Sequence, residues 1–178
     1  DLVHELRQDM GQCGFMRFPV RERQHGHVLV FKAFMLHNMT PVAGRVTDAQ
    51  EEGFVLGASL IEGLVDQLGR EGLPAERVVL MGFSQGACLT LEFAARHSGR
   101  YAAIAAFSGG VIGPAGTPRD YAGSFAGTPV FLGCSDVDAH VPESRARETA
   151  EVFRRLGADV TLRIYPGMSH VVNDDEVA

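Results

Sequence analysis

From about position 46 to the carboxyl terminus, helical and extended patterns alternate along the chain. A helical stretch to about position 69 precedes an extended run at 78–82, and a second helical stretch follows position 84. Further extended runs occur in "YAAIAAFSGG", "VFLGCSD" and "DVTLRIYPG". Before the last of them, a helix is predicted with Pro142 in its first turn. Parallel strands need long crossover connections, usually helices. The sequence therefore predicts an α/β domain with a mostly parallel sheet.

Each predicted helix has an apolar face, and the longest predicted loop is marked by its Gly and Pro content. Segment 113–129 is rich in Gly and Pro and is predicted to be mostly loop. The first 45 residues show no clean period, although "GHVLVFKAFML" is a candidate strand. Apolar residues at helical spacing mark the faces expected to be buried: Phe54, Ala58, Ile61, Val65 and Leu68, then Ala87, Cys88, Leu91, Ala94 and Ala95, then Ala146, Ala150 and Phe153.

Composition excludes several classes of function. A length of 178 residues fits one domain, and a net charge of -6 argues against nucleic acid, whose phosphates would be repelled. No run approaches 18 consecutive apolar residues, so no membrane span is predicted. Cys13, Cys88 and Cys134 are an odd, widely spaced set without a C-x-x-C pair. This cysteine usage predicts a reduced, cytoplasmic setting.

The sequence Gly82-Phe83-Ser84-Gln85-Gly86 is a G-x-S-x-G motif between a predicted strand and a predicted helix. A sharp strand-to-helix turn exposes a serine hydroxyl above the sheet, and small flanking residues let the turn close. The backbone N–H of Gln85, at the helix N-terminus, is then in place to hold an oxyanion. The alternative is that Ser84 is only a helix N-cap. The strand before it and the helix after it favour a nucleophile.

A serine nucleophile needs a base, and the base needs an orienting acid. In hydrolases with this motif the acid follows the serine along the chain and the histidine comes last. The stretch "GCSDVDAHVP" places Asp136 and Asp138 after a predicted strand, at the carboxyl edge of the sheet where ligands bind. Their position favours neither aspartate strongly. His170 follows the last predicted strand and is the predicted base.

The other histidines have simpler interpretations. His25 and His27 are spaced to bind a metal as a pair, but a surface loop is the predicted interpretation. His97 ends a helix, where a cation interacts favourably with the helix dipole. His140 precedes Val-Pro and is interpreted as structural packing. The required chain order excludes four histidines that precede the serine: His4, His25, His27 and His37.

Cys134 is an alternative nucleophile, which would make the protein a thiol-based hydrolase. It lacks the strand–turn–helix context of Ser84, and a small buried side chain is the better interpretation. No metal is predicted. The proposed chemistry of serine, histidine and aspartate requires no cofactor.

Three motifs resemble those of one known family. "GFSQGA" at 82–87, "D-A-H-V-P" at 138–142 and "YPGMSH" at 165–170 are similar, in this order, to the motif regions of the phospholipase/carboxylesterase family of α/β-hydrolases. That family includes acyl-protein thioesterases and small bacterial carboxylesterases, and the resemblance covers about positions 46–176. It implies an α/β-hydrolase fold, with helices on both faces of the sheet and no cap domain. The family's D-x-x-V-P aspartate is the triad acid, which implies Asp138 rather than Asp136, beside Ser84 and His170.

The family's first strand ends in a His-Gly-x-Gly-like loop that supplies a second oxyanion donor, and this loop is not found. His25-Gly26-His27 precedes the run "VLVF" instead of following a strand. "VLVFKAFMLHNMTP" resembles the family's next strand, and residues 1–12 resemble the helix after the missing loop. We interpret 1–178 as a single domain that lacks its N-terminal strand and oxyanion loop. The alternative is a diverged N-terminal part. An open strand edge would favour association, here a homodimer.

The resemblance implies a serine hydrolase that cleaves carboxylic ester or thioester bonds of small to medium acyl substrates. An acyl-protein thioesterase or a lysophospholipase is the alternative within hydrolases. Segment 31–45 would line the acyl pocket, but its departure from the family's pattern leaves that choice open. A different class, a non-catalytic binding protein on a hydrolase scaffold, is suggested by the missing loop.

Overall fold

Helices and strands alternate along the part of the chain that the structure describes. The computed structural model describes residues 48–177, with side chains from residue 57 onward. A short 3₁₀ turn at Ala75–Arg77 leads into the first strand. The elements follow in this order: α1 Asp48–Arg70, β1 Val79–Phe83, α2 Gln85–Arg96, β2 Ala103–Phe107, β3 Pro129–Ser135, α3 Glu143–Arg155 and β4 Asp159–Tyr165. The alternation predicted from the sequence is confirmed.

The four strands form one parallel sheet whose spatial order, β1-β2-β3-β4, is also the chain order. Right-handed crossovers in such an order place successive connections on the same face of the sheet. Accordingly, α2 and α3 pack on the face that carries Leu80, Ile104 and Leu132, all of them buried.

The apolar faces predicted for α2 and α3 are buried against this sheet, and Ile61 of α1 is buried in the same core. Phe153 of α3 also stacks on Phe125 of the preceding loop, with ring centroids 4.9 Å apart. Cys88 is only half-buried. Burial of one large apolar side chain is worth about 1.5–3 kcal/mol, so these faces fix α2 and α3 on the sheet. The fully or nearly buried members are Ile61 on α1, Ala87, Leu91, Ala94 and Ala95 on α2, and Ala146, Ala150 and Phe153 on α3.

The connection from β2 to β3 contains neither helix nor strand, as its Gly and Pro content predicts. Glu92 of α2 is 1% exposed and anchors this loop. Its carboxylate accepts hydrogen bonds from the Ile112 N–H at 2.9 Å and from the Tyr121 hydroxyl at 2.9 Å. Burial, and then the Glu92 charge, raises the pKa of Tyr121 to about 12, so its hydroxyl remains a donor. The loop that follows β2 is therefore fixed to the helix that follows Ser84.

The helix α3 begins one residue later than predicted, directly after Pro142. Instead of occupying the first turn of α3, Pro142 is the residue that precedes Glu143, with φ -60 and ψ 142. Its extended ψ keeps it outside the helix, while its carbonyl oxygen accepts the N–H of Arg145 at 2.8 Å. The start of α3 is thus set by a proline carbonyl rather than by a side-chain cap.

Several predictions concern residues before 48. They are the candidate strand in "GHVLVFKAFML", the acyl-pocket segment 31–45, the helix at 1–12 and the surface loop around His25, and all lie outside the described residues. Among the helices of 48–177, none is long and apolar enough to cross a membrane.

Candidate active site

Ser84 occupies the single position between β1 and α2. Its backbone has φ 54 and ψ -119. Residues other than glycine rarely adopt this conformation, which costs about 1–3 kcal/mol. Backbone hydrogen bonds hold both ends of the turn. The Ser84 N–H donates to the carbonyl oxygen of Phe107 at 2.8 Å, and its carbonyl accepts the N–H of Cys88 at 3.0 Å. The strand–turn–helix context predicted from the motif is therefore present, with Ser84 at the carboxyl edge of the sheet.

The turn is this sharp because the first glycine of the motif has no side chain. A Cβ on Gly82 would lie 2.4 Å from both the carbonyl carbon and the oxygen of Gly86, and 2.6 Å from the N of Ala87. These are backbone atoms of α2, which cannot move aside as the end of a flexible side chain can. Glycine at position 82 therefore lets α2 approach β1 closely enough to form the turn.

We expect Gly82→Ala to lower the free energy of unfolding by about 1–3 kcal/mol or more, because the new methyl group displaces backbone. Gly63→Ala is the matched control, since a Cβ there meets nothing within 4 Å on an exposed face of α1. That variant should be unchanged or more stable by about 0.5–1 kcal/mol. Urea unfolding of both variants measures the difference. Equal midpoints for Gly82→Ala and the wild type would contradict the close-approach argument.

The structure brings Ser84, His170 and Asp138 together in one chain of hydrogen bonds. His170 Nε2 lies 2.7 Å from Ser84 Oγ, and His170 Nδ1 lies 2.6 Å from Asp138 Oδ2. Each residue follows a different strand: Ser84 follows β1, Asp138 follows β3 and His170 follows β4. Because the carboxyl ends of parallel strands meet at one edge, residues distant in sequence converge there.

Asp138 is held in an environment that keeps it ionised. Its side chain is fully buried, and Oδ1 accepts the backbone N–H of His140 at 2.7 Å and of Val141 at 3.0 Å. Burial alone would raise the pKa of Asp138, but the hydrogen bonds from His170, Val141 and His140 together lower it below its ordinary value. Because the ionised carboxylate can only accept a hydrogen bond, Asp138 Oδ2 favours the His170 tautomer with a proton on Nδ1. His170 Nε2 is then left to accept the hydrogen bond from Ser84.

Two aromatic rings lie against the imidazole of His170. The ring centroid of Phe83 is 5.0 Å away and that of His140 is 4.6 Å away. His140 was interpreted from the sequence as structural packing. In the structure it is exposed, and its ring packs against His170. Since the His170 side chain is itself 20% exposed, the imidazole is bounded by these rings but still reached from solvent.

The second aspartate of the loop, Asp136, binds backbone instead of imidazole. Its Oδ1 accepts the N–H of Gly167 at 2.7 Å. Asp136 and Asp138 therefore both contact the loop that carries His170, but only Asp138 contacts the ring. The motif spacing gave no sign of the Asp136 contact, because its partner lies 31 residues further along the chain.

Gln85 is the first residue of α2. The first N–H groups of a helix lack intrahelical acceptors and carry the positive end of the helix dipole, so they attract a developing negative charge. The side-chain oxygen of Gln85 is buried and receives no hydrogen bond from residues 48–177. The second oxyanion donor is expected from the N-terminal part of the chain, which lies outside that range.

The rival nucleophile and a rival base are placed elsewhere. The Cys134 side chain is fully buried, and burial, followed by the charge of Asp138, raises its pKa to about 11. A reactive thiolate is therefore disfavoured at neutral pH. His97 directly follows α2, and the 12 residues of that helix place it about 18 Å from Ser84. Between residues 48 and 177, no three His, Cys, Asp or Glu side chains are grouped so as to hold a metal ion.

The parallel sheet and the serine on a sharp turn between β1 and α2 define an α/β-hydrolase fold. A solved phospholipase/carboxylesterase from Dyadobacter fermentans superposes with a TM-score of 0.74 at 35% sequence identity, covering 78% of this chain and 66% of that one. The phospholipase/carboxylesterase family profile matches residues 35–178, and the chain belongs to this family.

Acyl-protein thioesterases are among the relatives. Acyl-protein thioesterase 1 of Saccharomyces cerevisiae is 30% identical over 129 residues, which cover 71% of this chain and 56% of that protein. The protein of the same name from Debaryomyces hansenii is 27% identical over 129 residues, with the same two coverages, 71% and 56%. The chain thus spans little more than half the length of the curated relatives it matches.

Proposed function

We propose that this protein is a serine hydrolase that cleaves carboxylic ester or thioester bonds of small to medium acyl substrates. Ser84 is the nucleophile, His170 the general base and Asp138 the acid that orients His170. The observation that carries the proposal is the continuous chain of hydrogen bonds, 2.7 Å from Ser84 to His170 and 2.6 Å from His170 to Asp138, on a strained serine. Membership of the phospholipase/carboxylesterase family supports the same chemistry.

In the first half-reaction, Ser84 Oγ attacks the acyl carbonyl carbon while His170 Nε2 takes the hydroxyl proton. The carbonyl oxygen becomes an oxyanion, and the N–H of Gln85 donates to it. Asp138 stabilises the imidazolium that forms and remains ionised. When the tetrahedral intermediate collapses, the bond to the leaving group breaks and His170 delivers its proton to the departing alcohol or thiol. Ser84 then carries the acyl group.

In the second half-reaction, water replaces the leaving group. His170 Nε2 takes a proton from the water as its oxygen attacks the acyl carbon, and the same donor binds the second oxyanion. Collapse releases the carboxylic acid and returns the proton to Ser84. Because the His170 side chain is partly exposed, water can reach the base without a large rearrangement.

Acyl-protein thioesterase activity is a second candidate within the same chemistry. The support for it is that relatives 27–30% identical to this chain carry that name. Relative rates on an S-acylated peptide and on p-nitrophenyl acetate distinguish the two substrate classes. A single domain over 1–178, a cytoplasmic location and a homodimer stay predictions of the sequence.

A fluorophosphonate probe tests the proposal directly, because it reacts covalently with an activated serine. Ser84 Oγ displaces fluoride from the phosphorus, so we expect the wild-type chain to gain the mass of one probe less HF, located on the peptide that contains Ser84. Ser84→Ala should not be labelled. Cys134→Ala should be labelled like the wild type, because the raised pKa of the buried Cys134 thiol disfavours its thiolate. Intact-protein mass spectrometry, followed by peptide mapping, gives the readout.

Two results, one from labelling and one from a turnover assay, would favour the rival functions. Absence of labelling in wild-type protein, with folding confirmed by a cooperative thermal transition, would support a non-catalytic binding protein. Loss of p-nitrophenyl acetate turnover in Cys134→Ala, with turnover retained in Ser84→Ala, would support the thiol-based hydrolase. Either result contradicts the role proposed for Ser84.

A further inference from the structure

Two hydrogen bonds, not one, join the loop after β3 to the loop after β4. Asp138 Oδ2 binds the imidazole of His170 at 2.6 Å, and Asp136 Oδ1 accepts the N–H of Gly167 at 2.7 Å. The proposed reaction uses only the first of these contacts. The second is made to backbone, just before His170 in the same loop. It therefore acts on the position of the loop and not on the reacting atoms.

The Gly167 N–H is available because of the turn in which it sits. β4 ends at Tyr165, and the N–H of Met168 donates back to the carbonyl of Tyr165 at 3.4 Å. Pro166 and Gly167 thus occupy the two central positions, an order typical of a type II turn. Gly167 has φ +67, which the second central position of such a turn requires. The hydrogen bond of the turn uses Met168 as donor, so the Gly167 N–H remains for Asp136.

We propose that Asp136 is a positioning residue for His170. By holding the Pro166–Gly167 turn against the loop after β3, it keeps His170 Nε2 within hydrogen-bond distance of Ser84. The inference rests on the proposed function, since it concerns the geometry of the same site. Placement matters there because a displacement of about 1 Å between reacting groups can cost about 10²-fold in rate.

A purely electrostatic role for Asp136 is the main alternative. Its negative charge would also favour the imidazolium that His170 forms during the reaction. However, Asp136 is exposed, and interactions of exposed charges are weakened by water and by salt. Its carboxylate, by contrast, makes a short hydrogen bond with a defined partner. Asparagine at this position would keep the acceptor and remove the charge, and glutamate would keep the charge and displace the acceptor.

The experiment measures inactivation by a fluorophosphonate probe as a function of probe concentration. For Asp136→Ala and Asp136→Glu we expect the maximal inactivation rate to fall about tenfold, with the half-saturating concentration within about twofold of wild type. Asp136→Asn should react like the wild type. Asp120→Ala is the charge control, because Asp120 is exposed and no hydrogen bond to it is found within 48–177. It too should react like the wild type.

Each other outcome overturns the inference. If Asp136→Asn is as slow as Asp136→Ala, charge and not the hydrogen bond is responsible. If Asp136→Ala and Asp136→Glu react at the wild-type rate, the contact does not position His170. A change confined to the half-saturating concentration would assign Asp136 to probe binding. An unlabelled wild type overturns the proposed function together with this inference, whereas a labelled wild type with unaffected variants overturns the inference alone.

Discussion

Ser84→Ala and His170→Ala are each expected to lower kcat for p-nitrophenyl acetate by about 10⁶-fold, and the double variant should lose no more than either single variant. The physical reason is that the two side chains act as one unit in one proton transfer. In Ser84→Ala, His170 no longer has a hydroxyl to activate at 2.7 Å. Replacing His170 as well should therefore not lower kcat further. Steady-state kinetics of the three variants gives the comparison.

His97→Ala is the control for this experiment. His97 lies at the opposite end of α2 from Ser84, with its ring stacked on Phe93 at a centroid distance of 4.4 Å. Its replacement should leave kcat within about twofold of wild type, in keeping with a helix-terminal residue that has no part in the proton transfer. Losses that multiply in the Ser84 and His170 double variant would mean that the two residues act independently, which contradicts the proposed triad.

Much of the fold could be predicted because each element carries its own local signal. The β1 strand was predicted at 78–82 and lies at Val79–Phe83, and α1 was predicted to end near 69 and ends at Arg70. Apolar periodicity and glycine-rich breaks are local properties of the sequence, so they can be recognised without knowledge of the tertiary structure. The exception at Pro142 is also local, since a proline fits both just before and just inside a helix.

Local conformation in the candidate site could be predicted where a motif fixes it. Ser84 is such a case, because G-x-S-x-G between strand and helix implies the sharp turn itself. The partners of the two aspartates are a different case. Asp136 and Asp138 lie two positions apart on one loop, and the spacing of residues does not tell which carboxylate faces an imidazole and which faces the amide of Gly167. Such contacts depend on the shapes of two loops that meet only in the folded chain.

The packing of His140 against His170 could not be predicted for the same reason. Val-Pro after His140 suggested a structural residue, and the local sequence gave no indication that the two imidazole rings meet 4.6 Å apart. The backbone of the loop after β3 determines where the His140 ring lies. In this loop the N–H groups of His140 and Val141 donate to Asp138 Oδ1. The carboxylate thus shapes the loop that supports it.

Asp138→Asn is expected to lower kcat by about 10⁴-fold while the protein stays folded. The hydrogen bonds of Asp138 explain why a nearly isosteric change should be so costly. Oδ1 accepts two backbone N–H groups, so the carbonyl oxygen of asparagine must take that place, and the amide NH₂ then faces His170. An NH₂ group donates to Nδ1, which moves the imidazole proton to Nε2. The base that should accept the Ser84 proton is then itself a donor.

Asp136→Asn is the matched control, since it makes the same chemical change two residues earlier. Asp136 accepts a single N–H through Oδ1, so an amide there can keep its carbonyl on Gly167 and direct its NH₂ to solvent. We therefore expect near wild-type kcat for Asp136→Asn and, in ¹⁵N spectra of His170, a proton on Nε2 only in Asp138→Asn. If Asp138→Asn kept wild-type turnover with Nδ1 protonated, the histidine would be oriented by some other group. The acid of the proposed triad would then not be Asp138.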